Sequence, residues 1–354
     1  MARRLNVLVL AVGGNVSQGI LKALSLSGLP TTVVAAGVDA MGFGLYTSDV
    51  ALISPWADEP SFELWLTQTC REYNIDAVLS GAEPVLLRLA EHAERLRTDA
   101  GAIALVSPAE QLRVFQDKLA TCRWLEAAGC NFPAYAEARD GSAVARLAEA
   151  SGFPLFAKLR HGKGSSGTVP VRDAGDLEHV AALRDEYVIQ EHLGTGDQEY
   201  TVGCVCDASG RLHGTIVFRR DLLHGTTYRA VVDDDAAVRE EAERIVRQVR
   251  PHGPCNVQLR VVGDRPVCFE VNLRFSGSAP MRARLGFNEV QAALEHFVLG
   301  RPMSDLPRVT EGVALRYWNE AYIDARAVEI LQASGRLQDP GHFGLVVEDY
   351  GVRP

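Results

Sequence analysis

The chain has 354 residues, 47% of them hydrophobic and 23% charged, with a formal net charge of −9 and a pI near 5.5. That acidic balance, with no Lys/Arg cluster to offset it, excludes an extended DNA or RNA partner, which needs many phosphate contacts, but not a small anion such as ATP. No apolar run is long enough to span a membrane, and the run 7–12 behind Arg3-Arg4 is too short for a signal peptide, so a cytoplasmic protein is expected.

Seven cysteines are scattered without a CxxC pair, which argues against disulfide frameworks and zinc sites. Cys204 and Cys206 are expected to share one face of a strand as small core residues. At this length the chain has room for two or three lobes.

In chain order, the apolar run 6–12 leads through Gly13-Gly14-Asn15 into a helical stretch at 17–26. Strands follow at 33–36, 51–54, 77–80 and 103–106, with helical patterns at 62–73 and 84–97. Strands alternating with helices predict a parallel sheet, and hence a Rossmann-like unit over 1–107. Its first loop has the wrong glycine spacing for a dinucleotide fingerprint, although Asp39 lies at a suitable distance. Steric need in a tight turn is the competing explanation of those glycines.

Residues 110–128 predict one helix carrying Lys118, and 142–150 a second. A strand at 154–159 carries Lys158 and runs into Gly162-Lys163-Gly164-Ser165-Ser166-Gly167, followed by a strand at 168–171. A glycine-rich turn between two strands fits a lid that folds over phosphates with backbone N–H groups; it equally fits a plain surface hairpin. Further on come a helix at 178–185 and strands at 187–191, 200–206 and 213–218. Asp233 to Asp235 precede a helix at 236–249 and are accounted for by capping and the macrodipole. Arg239, Arg244 and Arg247 on that helix are expected on its solvated face.

Residues 255–278 predict a β-hairpin turning at Gly263-Asp264. With the turn centred on Asp264, Gln258 falls opposite Glu270 and Asn256 opposite Asn272. Glu270, Asn272 and Arg274 then point to one face. Such a face suits Mg²⁺ beside a phosphoryl group, since the oxygen donors are hard and the arginine is cationic. It is also what an ordinary solvated strand face looks like. A helix at 288–299 and a tail with a strand at 314–318, a helix at 325–334 and a strand at 345–348 complete the chain; no chemistry is recognisable in the tail.

The ordered set of these pieces resembles the ATP-grasp superfamily, in its carbamoyl-phosphate-synthase-like branch, over roughly residues 5–300. It comprises Lys158 with the glycine lid, Val188-Ile189-Gln190-Glu191-His192-Leu193, Glu199-Tyr200-Thr201-Val202, Gly253 to Gln258, and Glu270-x-Asn272-x-Arg274-Phe275-Ser276-Gly277. The implied fold is α/β and α+β, an ATP-grasp fold behind an N-terminal Rossmann-like (pre-ATP-grasp) domain. Its units would be 1–107, a central lobe with the lid at 108–190, and a C-terminal lobe with the metal site and tail at 191–354.

The resemblance also implies roles. Glu191 and the backbone near Leu193 would hold the adenine, with Gln190 beside them, and Glu199 the ribose. Lys118, Lys158 and the lid residues Gly164, Ser165, Ser166 and Gly167 would hold the phosphates. Gln258, Glu270 and Asn272 would bind two Mg²⁺ ions, for which Mn²⁺ could substitute, and Arg274 together with Lys158 would act on the transferring phosphoryl group. The family's strand usually continues with proline after its asparagine; here Leu273 stands there, which leaves the side-chain directions unchanged.

Arg219, Arg220, His224 and Thr226 match a substrate-contacting loop of the branch, and Ser276, Ser278 and Arg282 follow the metal strand. Of these, Arg219, His224 and Ser276 are the expected substrate residues, whereas Arg220 and Arg282 fit the surface equally well. The implied activity is an ADP-forming carboxylate–amine ligase working through an acyl phosphate on small-molecule acid and amine partners, at least one an amino acid. A homodimer through the N-terminal domain is a further implication. The rivals are a nicotinamide-dependent oxidoreductase and a non-catalytic ATP-binding regulator; the second is disfavoured because every expected ligand position is filled.

Overall fold

The computed structural model describes residues 3–162, 167–181, 186–194 and 198–348. Short apolar runs early in the chain are buried on both faces, as strands of a parallel sheet covered by helices must be. β1 (Leu5–Leu10), β2 (Thr31–Gly37), β3 (Val50–Ile53), β4 (Ala77–Ser80) and β5 (Ile103–Ala104) form it in the order β3-β2-β1-β4-β5. α1 (Asn15–Ser25), α2 (Phe62–Glu72) and α3 (Glu83–Ala100) pack on its faces. The tail returns here: Arg336–Gln338 pairs antiparallel with β3, and Ala327 and Leu331 of the preceding helix join the β1 core. The first loop is crowded at some of its glycines and not at others: a Cβ on Gly19 would come within 3.2 Å of Pro280, and one on Gly14 within 3.4 Å of Ala11 O. Its left-handed residue is Ala11, at φ 57°, and a Cβ on Gly13 would meet nothing within 4 Å.

The helix expected over 110–128 is two, α4 (Ala109–Gln116) and α5 (Lys118–Ala127). Asp117 breaks it by leaving helical geometry and accepting from the N–H groups of Leu119 and Ala120, an N-cap that starts a new helix. β6 (Tyr135–Glu137), α6 (Gly141–Ser151), β7 (Leu155–Leu159), β8 (Thr168–Val171), α7 (Ala174–Ala181) and β9 (Tyr187–Glu191) follow. Their strands make an antiparallel sheet, β6-β9-β7-β8.

A second six-stranded sheet is antiparallel throughout. It contains β10 (Glu199–Cys206), β11 (Leu212–Leu223), β12 (Thr226–Val232), β13 (Gly253–Val262), β14 (Arg265–Asn272) and β15 (Val313–Leu315) in the order β14-β13-β10-β11-β12-β15. One face carries Val202, Cys204, Cys206, Val257 and Val271 and is buried under α8 (Ala236–Val249). The other face carries Glu199, Thr201, Arg220, Gln258 and Glu270, and most of it looks towards the β7–β8 hairpin. The hairpin β11–β12 replaces the loop expected at 219–226, because its charged residues find partners within the sheet. α9 (Ala279–Arg284) and α10 (Glu289–Ala293), which runs on into a π-helical turn, close the sheet's far end.

All seven cysteines are buried free thiols. Burial pushes Cys122 up to about 11 and Cys70 and Cys204 up to about 12. In the native protein at pH 8, thiol-specific reagents are therefore expected to modify these groups only as the chain unfolds. Rapid labelling of Cys122 or Cys204 before unfolding, seen by mass spectrometry, would contradict this packing.

Candidate active site

The site is built on the β13–β14 hairpin, and its register has an unexpected origin. The turn is the two-residue Gly263-Asp264, with Val262 opposite Arg265 and Gly263 left-handed at φ 63°. Continued without interruption, that turn would set Gln258 opposite Phe269. Instead the pairing passes from Leu259–Cys268 to Gln258–Glu270 and Asn256–Asn272. Phe269 is thus a bulge residue. The pairing expected from a turn centred on Asp264 is present, but the bulge produces it. Because side chains alternate with period two, the inserted residue sends Glu270 to the same face as Gln258.

That face forms the floor of a cleft of about 720 Å³. Lys158 of β7 and Thr168 of β8 line it from the facing sheet, Glu191 and Leu193 from its rim, and Asn15 and Glu83 from the parallel-sheet domain. Phe269 and Glu270 both line it, a consequence of the bulge. The Lys158 ammonium stands 5.4 Å from the centre of the Phe269 ring. Burial lowers its pKa, and the Glu270 carboxylate opposes that shift. A half-buried, poorly compensated ammonium of this kind favours an anionic ligand.

Arg220 holds the floor together. It bonds Glu199 Oε1 at 2.8 Å and Gln258 Oε1 at 2.6 Å, and Arg260 bonds Glu199 Oε2 at 2.6 Å. The Glu199 carboxylate is therefore held by two guanidinium groups. Asn272 donates Nδ2 to Glu270 Oε1 at 3.0 Å. Arg274 lines the cleft 3.3 Å from Glu83 Oε1, and its buried Nε has no partner.

The remaining expected residues fall in several places. Lys118 Nζ donates to Gly162 O at 2.7 Å, tying α5 to the foot of the β7–β8 hairpin. The Glu191 carboxylate accepts from Ala134 N at 2.7 Å. Gln190 is buried, donates to Cys122 Sγ at 3.0 Å, and leaves its Oε1 without a partner. Gly164, Ser165 and Ser166 lie outside the described residues. Gly167 is left-handed at φ 71°, and any Cβ there would collide with Leu159, so the fold itself requires glycine. Asn272 is buried and borders a small hollow beside Arg274 and Leu86 instead of the main cleft.

Arg219 points to the other face of its sheet, where its Nε lies 3.2 Å from Asp233 Oδ2. Ser276 is buried against Ser278, with 2.7 Å between their hydroxyl oxygens. His224 sits at the tip of the β11–β12 hairpin and lines a second chamber. The two arginines given an even chance of surface placement are both buried. Arg220 is described above, and Arg282 is fully enclosed, donating to Asn256 Oδ1 at 2.6 Å with Glu289 at 3.4 Å. Gly203 is glycine because the Arg282 guanidinium lies on its Cα. Arg260, Phe269 and Glu83 were not foreseen as site residues; only an alternation count that included the bulge could have found Phe269.

The donor set tests whether a cation fits. Among the described residues no group of three His, Cys, Asp or Glu side chains could hold a metal. The floor offers one carboxylate that no arginine holds, Glu270, with the amide oxygen of Gln258 opposite it. Such a set is too weak for a stand-alone site, but it fits Mg²⁺ that brings phosphate oxygens and water as its other ligands. Gln258 Oε1 has a second lone pair beyond the one facing Arg220.

Replacing Arg220 with methionine leaves Glu199 one partner short in a buried setting. The substitution is expected to lower the unfolding free energy by about 3 kcal/mol in urea denaturation. A loss below about 0.5 kcal/mol would show that the Glu199 cluster is not a structural centre of the floor.

A family model described as "ATP-grasp in the biosynthetic pathway with Ter operon" matches residues 184–321. The carbamoyl phosphate synthase large chain of Mycobacterium tuberculosis is 25% identical over 328 residues, which is 86% of this chain and 29% of that one. This chain thus spans less than a third of the length of such curated relatives. N5-carboxyaminoimidazole synthetase from Staphylococcus aureus, complexed with ADP, superposes with a TM-score of 0.72 at 15% identity, covering 90% of this chain and 83% of that one. An L-amino acid ligase from Bacillus licheniformis gives 0.63 at 20% identity, with 91% and 80% covered. With the order of its three sheets and the placement of the cleft between two of them, the chain has the ATP-grasp fold, and its residues 184–321 match a model of that superfamily.

Proposed function

We propose that the chain is an ADP-forming ligase that joins a carboxylate to an amine, at least one of them an amino acid. The observation that carries this reading is the bulge-set floor, on which Glu270 and Gln258 face Lys158 across the cleft with Arg274 beside them. Lys158, Lys118 and residues 164–167 would hold the phosphates of ATP, and Gln190, Glu191, Leu193 and Glu199 the nucleoside. The orphaned Gln190 Oε1 suits an N–H donor such as the adenine amino group. Gln258 and Glu270 would hold Mg²⁺, with Asn272 steadying Glu270 through its Nδ2 hydrogen bond. The reading keeps the units 1–107, 108–190 and 191–354.

The chemistry explains why these groups belong together. A carboxylate is a poor electrophile because its leaving group would be oxide. Transfer of the γ-phosphoryl group to its oxygen gives an acyl phosphate and ADP. Attack by an amine then expels phosphate and leaves the amide, the amine proton passing to solvent or base. The Arg274 guanidinium would stabilise charge on the phosphoryl oxygens during transfer. Its pairing with Glu83 links that group to the parallel-sheet domain.

A screen of acid and amine pairs drawn from the amino acids, read by phosphate release and product mass, tests the proposal. At least one pair is expected to yield ADP, phosphate and a product lighter than its parts by one water. Glu270→Ala is expected to abolish turnover, and Arg274→Met to reduce it on the order of 10²-fold or more. Ligation that survives Glu270→Ala would overturn the metal assignment.

A further inference from the structure

A second chamber, of about 740 Å³, opens beside the cleft between α1, residues 41–46, the β11–β12 hairpin and the tail. It shares Asn15 and Thr226 with the cleft. Phe43, Tyr46, Tyr228 and Trp318 give it an aromatic lining, and the missing side chain of Gly13 leaves open space in its wall. The tail thus carries chemistry after all, because Arg316 reaches this chamber.

Its charge is what sets it apart. None of the described residues lining it is an aspartate or glutamate, although the chain as a whole is acidic, at −9. Two cations line it, Lys22 and Arg316. Arg316 is half-buried and donates to neutral acceptors, Asn15 Oδ1 at 3.1 Å and Gly277 O at 2.7 Å. Neither cation has an ion pair among the described residues. Partial burial and the Arg316 charge both lower the Lys22 pKa, and burial lowers that of Arg316. The position of Lys22 in the last turn of α1 is ordinary helix chemistry. A second cation beside it, half-buried and unneutralised, is not. Together they call for an anion.

We propose that this chamber binds the amine substrate of the ligase, an α-amino acid with an aromatic or large apolar side chain. Its carboxylate lies between Lys22 and Arg316, and its side chain rests on Phe43, Tyr228 and Trp318. The amine, one carbon from the anchored carboxylate, is directed past Asn15 and Thr226 into the cleft. The anchored carboxylate is a handle and does not react. This assignment rests on the ligase reading and adds to it the substrate class and the residues that select it.

Calorimetric titration of the 354-residue chain tests it with four probes: L-phenylalanine, 3-phenylpropionate, phenethylamine and phenyl phosphate. L-Phenylalanine and 3-phenylpropionate are expected to bind, with phenethylamine at least 30-fold weaker because it lacks the carboxylate. Arg316→Met and Lys22→Met are each expected to weaken L-phenylalanine at least 10-fold. The lysine variant guards against misfolding, because Lys22 is exposed and has no ion pair among the described residues. Absence of L-phenylalanine binding, equal binding of phenethylamine, tighter binding of phenyl phosphate, or unchanged affinity in both variants would overturn the assignment. The ligase reading fails differently. A chain that binds L-phenylalanine through these cations, yet forms no ADP with any acid, keeps the anion pocket and loses the ligation step. A chain that ligates other pairs without Arg316 keeps ligation and loses the pocket.

Discussion

One extra residue in one strand sets the chemistry of this molecule. A regular hairpin on the Gly263-Asp264 turn would place Phe269 opposite Gln258 and send Glu270 towards the core under α8. The bulge reverses that outcome for every residue beyond it. Glu270 and Asn272 move to the polar face, while Val271 and Leu273 enter the apolar core. The same insertion brings the Phe269 ring to the Lys158 ammonium, so the two sheets of the cleft meet at the irregular residue.

Around that floor the charges are organised in two ways. Glu199, Arg220, Arg260 and Gln258 form a closed network in which the carboxylate is matched from both sides. Arg282, Asn256, Thr201 and Glu289 form a second, fully buried one beneath the neighbouring end of the sheet. Buried charges removed from water are stable only when paired in this fashion. Lys158 and Arg316 depart from the pattern, being cations held partly out of water without an ion pair among the described residues, and the exposed Lys22 stands beside Arg316. These cations line two adjoining hollows that share Asn15 and Thr226. A nucleotide in one and an anionic substrate in the other would meet across those two residues.

Much of the architecture is legible in the sequence, because alternation of apolar runs and helical stretches follows directly from burial. The parallel sheet, the β7–β8 hairpin and the β13–β14 hairpin could be read in that way. Less legible was anything decided by tertiary partners. Asp117 splits a helix because it caps the next one, a role that a continuous amphipathic pattern hides. Arg219 and Arg220 are neighbours in a charged run, yet strand alternation sends one to Asp233 and the other into the cleft. Arg282 is invisible as a core residue until Gly203 and Asn256 stand against it. The tail shows no motif because Arg316 acquires meaning only next to Asn15, 301 residues away in sequence, and Gly277, 39 residues away.

The claim on which everything rests is that the bulge turns a metal-binding carboxylate towards bound phosphate. Calorimetric affinity for ADP, with and without Mg²⁺, in the parent chain and in a variant lacking Phe269, tests it most directly. The account predicts that Mg²⁺ tightens ADP binding at least 10-fold in the parent, and that deletion removes the Mg²⁺ dependence while the protein still unfolds cooperatively. Equal dependence on Mg²⁺ in a folded deletion variant would contradict it.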